Sequence, residues 1–380
     1  MTISRISNQE TKRREIIRFM FLFTIKLKKV KILKQVLGVD VSQKELEVSL
    51  GRLREDLSIE LYAHYVYGNK KSGFAALEKW IKKHTDSEFP VRIVMEATGV
   101  YHQRFACYMQ EMNYDVSIVL PNKISNYMRT LDVKTVTDRT CSEAIARFGL
   151  ERKLDNWQKP DDTFRSLQQL TRERDQIVDE RTMVKNRLHA EKSEAYPNEN
   201  SMGRMKKLIK FLNKQEQDIK KEINGILSSR PHIQQEVKRI CTIPGVGVLT
   251  AVILLAETNG FEMIRNKRQL TSYAGMDIKE KLSGTSVKGK PKISKKGNRH
   301  IRKSLHLPSL SAVKYNPIHK DLYARLVGRH GIKMKGLMAV QRKILELAYI
   351  LFKNKTEYCR DYEKEKRATL ERALSSETGS

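Results

Sequence analysis

The chain has 380 residues, 39% of them hydrophobic, and its 73 Lys and Arg outweigh 44 Asp and Glu to leave a formal net charge of +29. That apolar content excludes wholesale disorder, and the length fits two domains or one large domain with additions. A positive excess of this size goes beyond what solubility needs and points to a polyanionic partner, so nucleic acid is expected.

The N-terminal stretch TKRREIIRFMFLFTIKLKKVK has the basic start and short apolar run of a signal sequence. Arg18 interrupts that run, Lys26 follows it, and no small-residue cleavage site comes after. It is also too short to span a bilayer, so no membrane partner is expected. Residues 1–35 read as a basic extension. Cys107, Cys141, Cys241 and Cys359 lie far apart without metal-ligand spacing, which predicts free thiols in a reducing, cytoplasmic setting.

From Val36, VLGVDVSQKELEVSL sets apolar and β-branched residues on both sides of Asp40, then a turn at Ser42 to Lys44, then a second strand. SIELYAHYVYGN predicts a third strand, SGFAALEKWIKKHT a helix, and VRIVMEATGVY a buried strand ending at Glu96. HQRFACYMQEMN reads as a helix, YDVSIVLP as a strand and SEAIARFGLERKL as a helix. Strands alternating with helices after an opening hairpin indicate an α/β domain, here over residues 36–158.

Residues 159–236 change style. TFRSLQQLTRERDQIVDERTMVKNRLHAEKSEAY and RMKKLIKFLNKQEQDIKKEINGILSS place apolar residues every three or four positions amid mixed charge. They predict long helices, a coiled-coil hairpin broken around Pro197 to Gly203. Their composition suits a linker and an oligomerisation arm equally, and a homo-oligomer, dimer or tetramer, is expected.

Residues 237–355 read as a mainly α domain followed by a polar tail, 356–380. In VKRICTIPGVGVLTAVILLAET, Pro244, Gly245 and Gly247 form a turn before an apolar helix, and glycines at a helix N-terminus let a phosphate approach the backbone N–H groups. The pattern is that of a helix-hairpin-helix element, with Gly245 and Gly247 as nucleic-acid-binding candidates. Beyond RQLTSYAGM comes a basic loop, KEKLSGTSVKGKPKISKKGNRHIRKS, which Gly284, Gly289, Pro291 and Gly297 keep mostly out of regular structure. Lys288, Lys292, Lys295, Lys296 and Arg299 in and after it are candidates for phosphate binding. HIRKSLHLPSLSAV and MAVQRKILELAYILFKN predict two further helices.

Three acids stand out in the α/β domain. Asp40 lies within a strand-like apolar run, Glu96 ends another, and Asp138 begins a helix. Strands seldom keep a bare carboxylate among Val and Met unless something neutralises it. Converging carboxylates suit Mg²⁺ or Mn²⁺, and such ions can clamp the attacking and leaving oxygens of a phosphodiester. Singly, each acid also reads as a turn residue, a strand-end cap or a helix N-terminal charge.

LGVDVSQKELEVSL, VMEATGVYHQRFACYM and VLPNKISNYMRTLDVKTVTDRTCSEAIARFG resemble, in order, the RuvC-like N-terminal domain of the DEDD-type insertion-sequence transposases. IPGVGVLTAVILLAE, RQLTSYAGM and SGTSVKGKPKISKKGNRHIRKSL resemble the C-terminal transposase domain of the same family. The resemblance implies a bacterial, nucleoid-associated DNA recombinase with an RNase H-like fold, acting on double-stranded DNA under the guidance of a structured RNA. Asp40, Glu96 and Asp138 match the family's first three acids. Where the fourth aspartate belongs, this chain has Cys141; Glu143 is the next acid, pointing about 140° away from Asp138 on an ideal helix. Glu143 serves as the fourth carboxylate if the helix starts later; otherwise three carboxylates make the site. Ser283 matches the family's catalytic serine, with Thr285 and Ser286 close by. A serine hydroxyl needs its proton removed to attack, and surrounding cations would stabilise the charge that develops. Rival readings are a metal-dependent nuclease without a serine step, a decayed nucleic-acid-binding protein, and an actin-like ATPase.

Overall fold

The computed structural model describes residues 31–97, 99–131, 133–262, 264–279, 282–283, 287–288 and 292–359. Most of the basic extension, the tail beyond 359, and Thr285 and Ser286 lie outside the described residues. The chain divides into two compact units at Lys159 and Pro160.

In the first unit, β1 (Ile32–Val41) and β2 (Glu45–Arg54) pair antiparallel across a turn tied by Ser42. The Ser42 hydroxyl accepts from the Glu45 N–H at 3.0 Å, and the Ser42 N–H donates to the Glu45 carbonyl at 2.9 Å. β3 (Ile59–Gly68) adds antiparallel to β2, while β4 (Val91–Glu96) and β5 (Asp115–Val119) continue from β1 in parallel. The sheet order is β3-β2-β1-β4-β5. Strand alternation sends Leu37, Val39, Val48, Ile93 and Met95 to one face, under Phe74, Leu77 and Ile81 of α1 (Lys71–His84) and Phe105 and Met109 of α2 (His102–Glu111). Val36, Val94 and Val119 face the other way, against Ile124 of α3 (Pro121–Met128) and Ile145 and Leu150 of α4 (Asp138–Glu151). Each such side chain, fully buried, contributes about 1.5–3 kcal/mol. This mixed sheet with helices on both faces agrees with the α/β, RNase H-like expectation.

Helix α3 has no counterpart in the sequence reading; Pro121 starts it, its missing N–H costing nothing in the first turn. Gly38 sets how deeply α4 docks. A Cβ there would stand 2.3 Å from both the Ala146 N and the Ser142 O, so only glycine lets α4 close onto β1. The Ser49 and Ser142 hydroxyls, 2.8 Å apart, fasten the same approach.

In the second unit, α5 (Asp162–Lys192) and α6 (Glu199–Ser228) form a helical hairpin along Leu167, Leu170, Ile177 and Val184 against Leu212, Ile219, Ile223 and Leu227. The break falls at residues 193–198, earlier than expected, because the Asn198 side chain caps α6 by accepting from the Ser201 N–H at 2.9 Å; Gly203 is helical. The hairpin core runs on into α7 (Pro231–Cys241) and α8 (Val248–Glu257). α9 (Lys267–Tyr273) follows, then four two-residue strands, β6 (Ile278–Lys279), β7 (Leu282–Ser283), β8 (Val287–Lys288) and β9 (Lys292–Ile293). β6 pairs with β9 and β7 with β8, so the basic loop holds two short antiparallel ladders. Where two helices were expected at the end, four form: α10 (Arg299–Ser304), α11 (His306–Tyr315), α12 (Pro317–His330) and α13 (Lys333–Asn354). Pro317 opens α12, and Gly331, at φ 66°, closes it in the left-handed region.

Candidate active site

Asp40 sits near the end of β1 and Glu96 at the end of the adjacent parallel β4, both half-buried. Asp138, exposed, is the first residue of α4, whose start is set by a capping box between Thr137 and Thr140. With α4 drawn onto β1 at Gly38, that helix start comes to the Asp40 end of the sheet. The electrostatics show the convergence. Burial, then Asp138, pushes the Asp40 carboxyl above its ordinary value; burial, then Asp40, does the same for Glu96. Burial and then Asp40, Glu96 and Asp138 push the Cys141 thiol up to about 11, which keeps it protonated. Among the described residues no basic side chain pairs with any of the three acids.

The helix begins at Asp138 and not later, so Cys141 lies one turn on and turns toward the acids. Glu143 turns to Arg139 instead, accepting from its Nε at 3.0 Å. A residue that the sequence reading passed over also reaches this place. Glu47 of β2 is the ladder partner of Asp40, acts on both Asp40 and Cys141, and bonds His64 Nε2 at 2.9 Å. Asp40 and Glu47 stand symmetrically about the Ser42–Lys44 turn, a signal present in the hairpin pattern. Among the described residues no three His, Cys, Asp or Glu side chains form a ready-made metal centre. The chemistry of the donors nonetheless fits a hard divalent cation: oxygen ligands, close enough that neighbouring acids raise the pKa of Asp40 and of Glu96, and lacking a cationic partner among the described residues.

In the second unit, Ser283 is the last residue of β7 and pairs with Val287 of β8. Lys288 lies in β8. Lys292, Lys295, Lys296 and Arg299 are exposed. The return of this arm is anchored by Arg302, which donates to the Ala274 O at 2.6 Å and the Gly297 O at 3.1 Å. Asn298 donates to the buried Glu257 at 2.6 Å, and Glu257 also takes a two-pronged grip from Arg172 at 2.8 Å. Gly245, at φ 90°, faces inward, where a Cβ would meet the Pro308 O at 2.7 Å; Gly247 has open space around it.

Comparison with known families settles what this chain is. A model of the DEDD domain of IS110-type elements, described as "Transposase", matches residues 37–197, and one described as "Transposase IS116/IS110/IS902 family" matches residues 237–324. The chain belongs to the IS110 family of transposases. It is thus an enzyme, a DNA transposase or recombinase, and the DEDD-domain match runs from the first unit on through α5. It is 24% identical to the pilin gene-inverting protein of Moraxella bovis over 84% of this chain and 96% of that one. To the transposase for insertion sequence element IS1111A of Coxiella burnetii it is 23% identical, over 70% of this chain and 79% of the relative. T. thermophilus RuvC in complex with Holliday junction substrate overlays 32% of this chain and 99% of its own at 9% identity, with a TM-score of 0.26. Among the described residues no helix is long and apolar enough to cross a membrane.

Proposed function

We propose that this transposase cuts and rejoins DNA strands with Asp40, Glu96 and Asp138 as the ligands of Mg²⁺ or Mn²⁺ and Ser283 as the nucleophile, guided by a structured RNA. The observation that carries the reading is that Asp138 of α4 raises the pKa of Asp40 on β1 and Asp40 that of Glu96 on β4, with no basic partner for any of the three among the described residues. When bound, the cation would supply charge stabilisation at the scissile phosphate. The three side chains bind and orient it, and Glu143 would join them only by leaving Arg139. Attack by the Ser283 hydroxyl replaces one phosphate ester by another, so the energy of the broken strand is kept for rejoining. Lys288, Lys292, Lys295, Lys296 and Arg299 hold the phosphate backbone, and the turn at Gly245 and Gly247 adds a second backbone contact. Relatives named as a gene-inverting protein and as a transposase favour strand exchange between two DNA sites over plain hydrolysis. The helical hairpin is the proposed arm of a homo-oligomer acting at the nucleoid.

The test is a covalent one. Active protein with its RNA and DNA should yield a denaturation-resistant protein–DNA adduct that peptide mapping places on Ser283. Ser283→Ala should lose the adduct and strand exchange together. Strand exchange by Ser283→Ala with no adduct at any residue would end the serine reading, and an adduct at Thr285 or Ser286 would move it.

A further inference from the structure

A cavity of about 640 Å³ opens beside the carboxylates, and Glu96 and Cys141 form one of its walls. Ile124 and Met128 of α3 and the exposed Val136 line the rest with apolar surface. Asn122, Ser125 and Arg129, all exposed, supply the polar rim. The volume lies in the range of sites that enclose a small organic ligand, and a few polar groups on apolar walls are what such sites use to orient it.

We infer that this cavity receives one unstacked nucleobase of the DNA strand being cut, from the nucleotide next to the scissile phosphate. The inference rests on the carboxylate reading above, because the wall shared with Glu96 places any ligand in the cavity beside the phosphate those acids would address. Apolar surface from Met128, Val136 and the Cys141 thiol suits the face of a base; free Cys behaves as a small hydrophobe. Asn122 and Ser125 offer donors and acceptors to a base edge, and Arg129 a charge to the adjoining phosphate. A base inside a duplex presents neither its face nor its full edge, so the nucleotide must leave the stack, at a cost of about a few kcal/mol. The contacts in the cavity offset that cost and fix the strand in register at the cut. Cys141 then has a role that an aspartate would fill poorly: it keeps this wall apolar.

The test uses full-length protein with its RNA and with DNA carrying the element's own ends, the cut being mapped first. 2-Aminopurine, which brightens on unstacking, is then placed at each nucleotide flanking the cut. One flanking position should brighten severalfold on complex formation. Ser125→Leu, which fills the cavity from an exposed position, and Asn122→Ala should each remove that brightening and slow cutting by about 10- to 100-fold, the cost of misplacing a reacting group. Asp40→Asn should keep the brightening and lose the cutting. No brightening at any flanking position, brightening only when the probe sits in the RNA, or full brightening in Ser125→Leu together with Asn122→Ala would each overturn the inference. Retained cutting in Asp40→Asn would instead overturn the carboxylate reading and leave the brightening result intact.

Discussion

Asp40 and Glu47 face each other across the β1–β2 ladder, so two acids project from the same face of the sheet. Burial first, then Asp138 and Glu47, raise the Asp40 pKa above its ordinary 3.8. The folded chain therefore holds this proton more tightly than the unfolded chain. Stability falls as pH climbs from about 3.8 through the raised value, and the deficit is complete above it. Asp40→Asn should accordingly raise the melting temperature of the metal-free protein at pH 7 by on the order of a few degrees. The gain should vanish at pH values below the ordinary carboxyl pKa. Calorimetry at the two pH values checks it, and an unchanged or lower melting point at neutral pH would refute the assignment of strain to Asp40.

Cys141 is the α4 side chain on which all three acids act, whereas Glu143 is engaged with Arg139. Cys141→Asp should add a fourth carboxylate there and tighten Mn²⁺ binding by about tenfold, since affinity follows the number of charged ligands. Glu143→Gln should leave the affinity unchanged. Titration calorimetry with Mn²⁺ on both variants decides it; a loss of affinity in Glu143→Gln would restore that residue to the site.

Glu216 is buried in the seam of the α5–α6 hairpin. Burial alone would raise its pKa, but hydrogen bonds from Arg174, Lys220 and Arg181 hold it at about 2. Its contribution to stability is full above the ordinary value of 4.5 and is lost as pH falls from there through about 2. Glu216→Ala leaves Arg181 and Lys220 without their acid and Arg174 with Asp175 alone, and should cost about 3 kcal/mol at neutral pH. The cost should shrink between pH 4.5 and 2, as read by denaturant unfolding. A cost that stays constant into acid would show that packing, not charge, is what Glu216 supplies.

Lys292 and Lys296 are exposed, and among the described residues no acid pairs with either side chain to hold it from a phosphate. On duplex DNA the logarithm of affinity should fall linearly with the logarithm of salt, with a slope of about −0.9 per phosphate contact. Lys292→Ala and Lys296→Ala should each shorten that slope by about one contact or less. Binding isotherms across a salt series measure it, and slopes equal to that of the parent would remove both residues from the interface.

Local pattern carries much of this protein. Asp40 and Glu96 are legible because each carboxylate breaks or ends an apolar run, and Asp138 because it opens a helix; all three signals lie within a few residues of chain. The hairpin around Ser42, the alternating strands and the long helices are legible for the same reason. Helix α3 escapes a sequence reading because PNKISNYM is short, with only Ile124 and Tyr127 buried, and its Pro looks like an end rather than a start. The break before α6 falls earlier than expected because Gly203 looks like a helix breaker while the capping Asn198 sets the boundary.

What the sequence alone determined, then, is the order of elements, the charge that implies a polyanion, and the acids at the strand ends. Tertiary structure alone decided which neighbours those acids have. Glu47 joins Asp40 through ladder register, and Cys141 rather than Glu143 joins it because the Thr137 cap fixes the start of α4 and Gly38 fixes its depth. The close packing of Gly245 on α11 shows only in the fold, and the cavity beside Glu96 exists only because α3 and α4 pack on the same sheet face. Periodicity reports which face of an element is apolar, but not which residues of distant elements meet. Contacts of long sequence separation depend on register and close approach, which are set by packing across the whole unit.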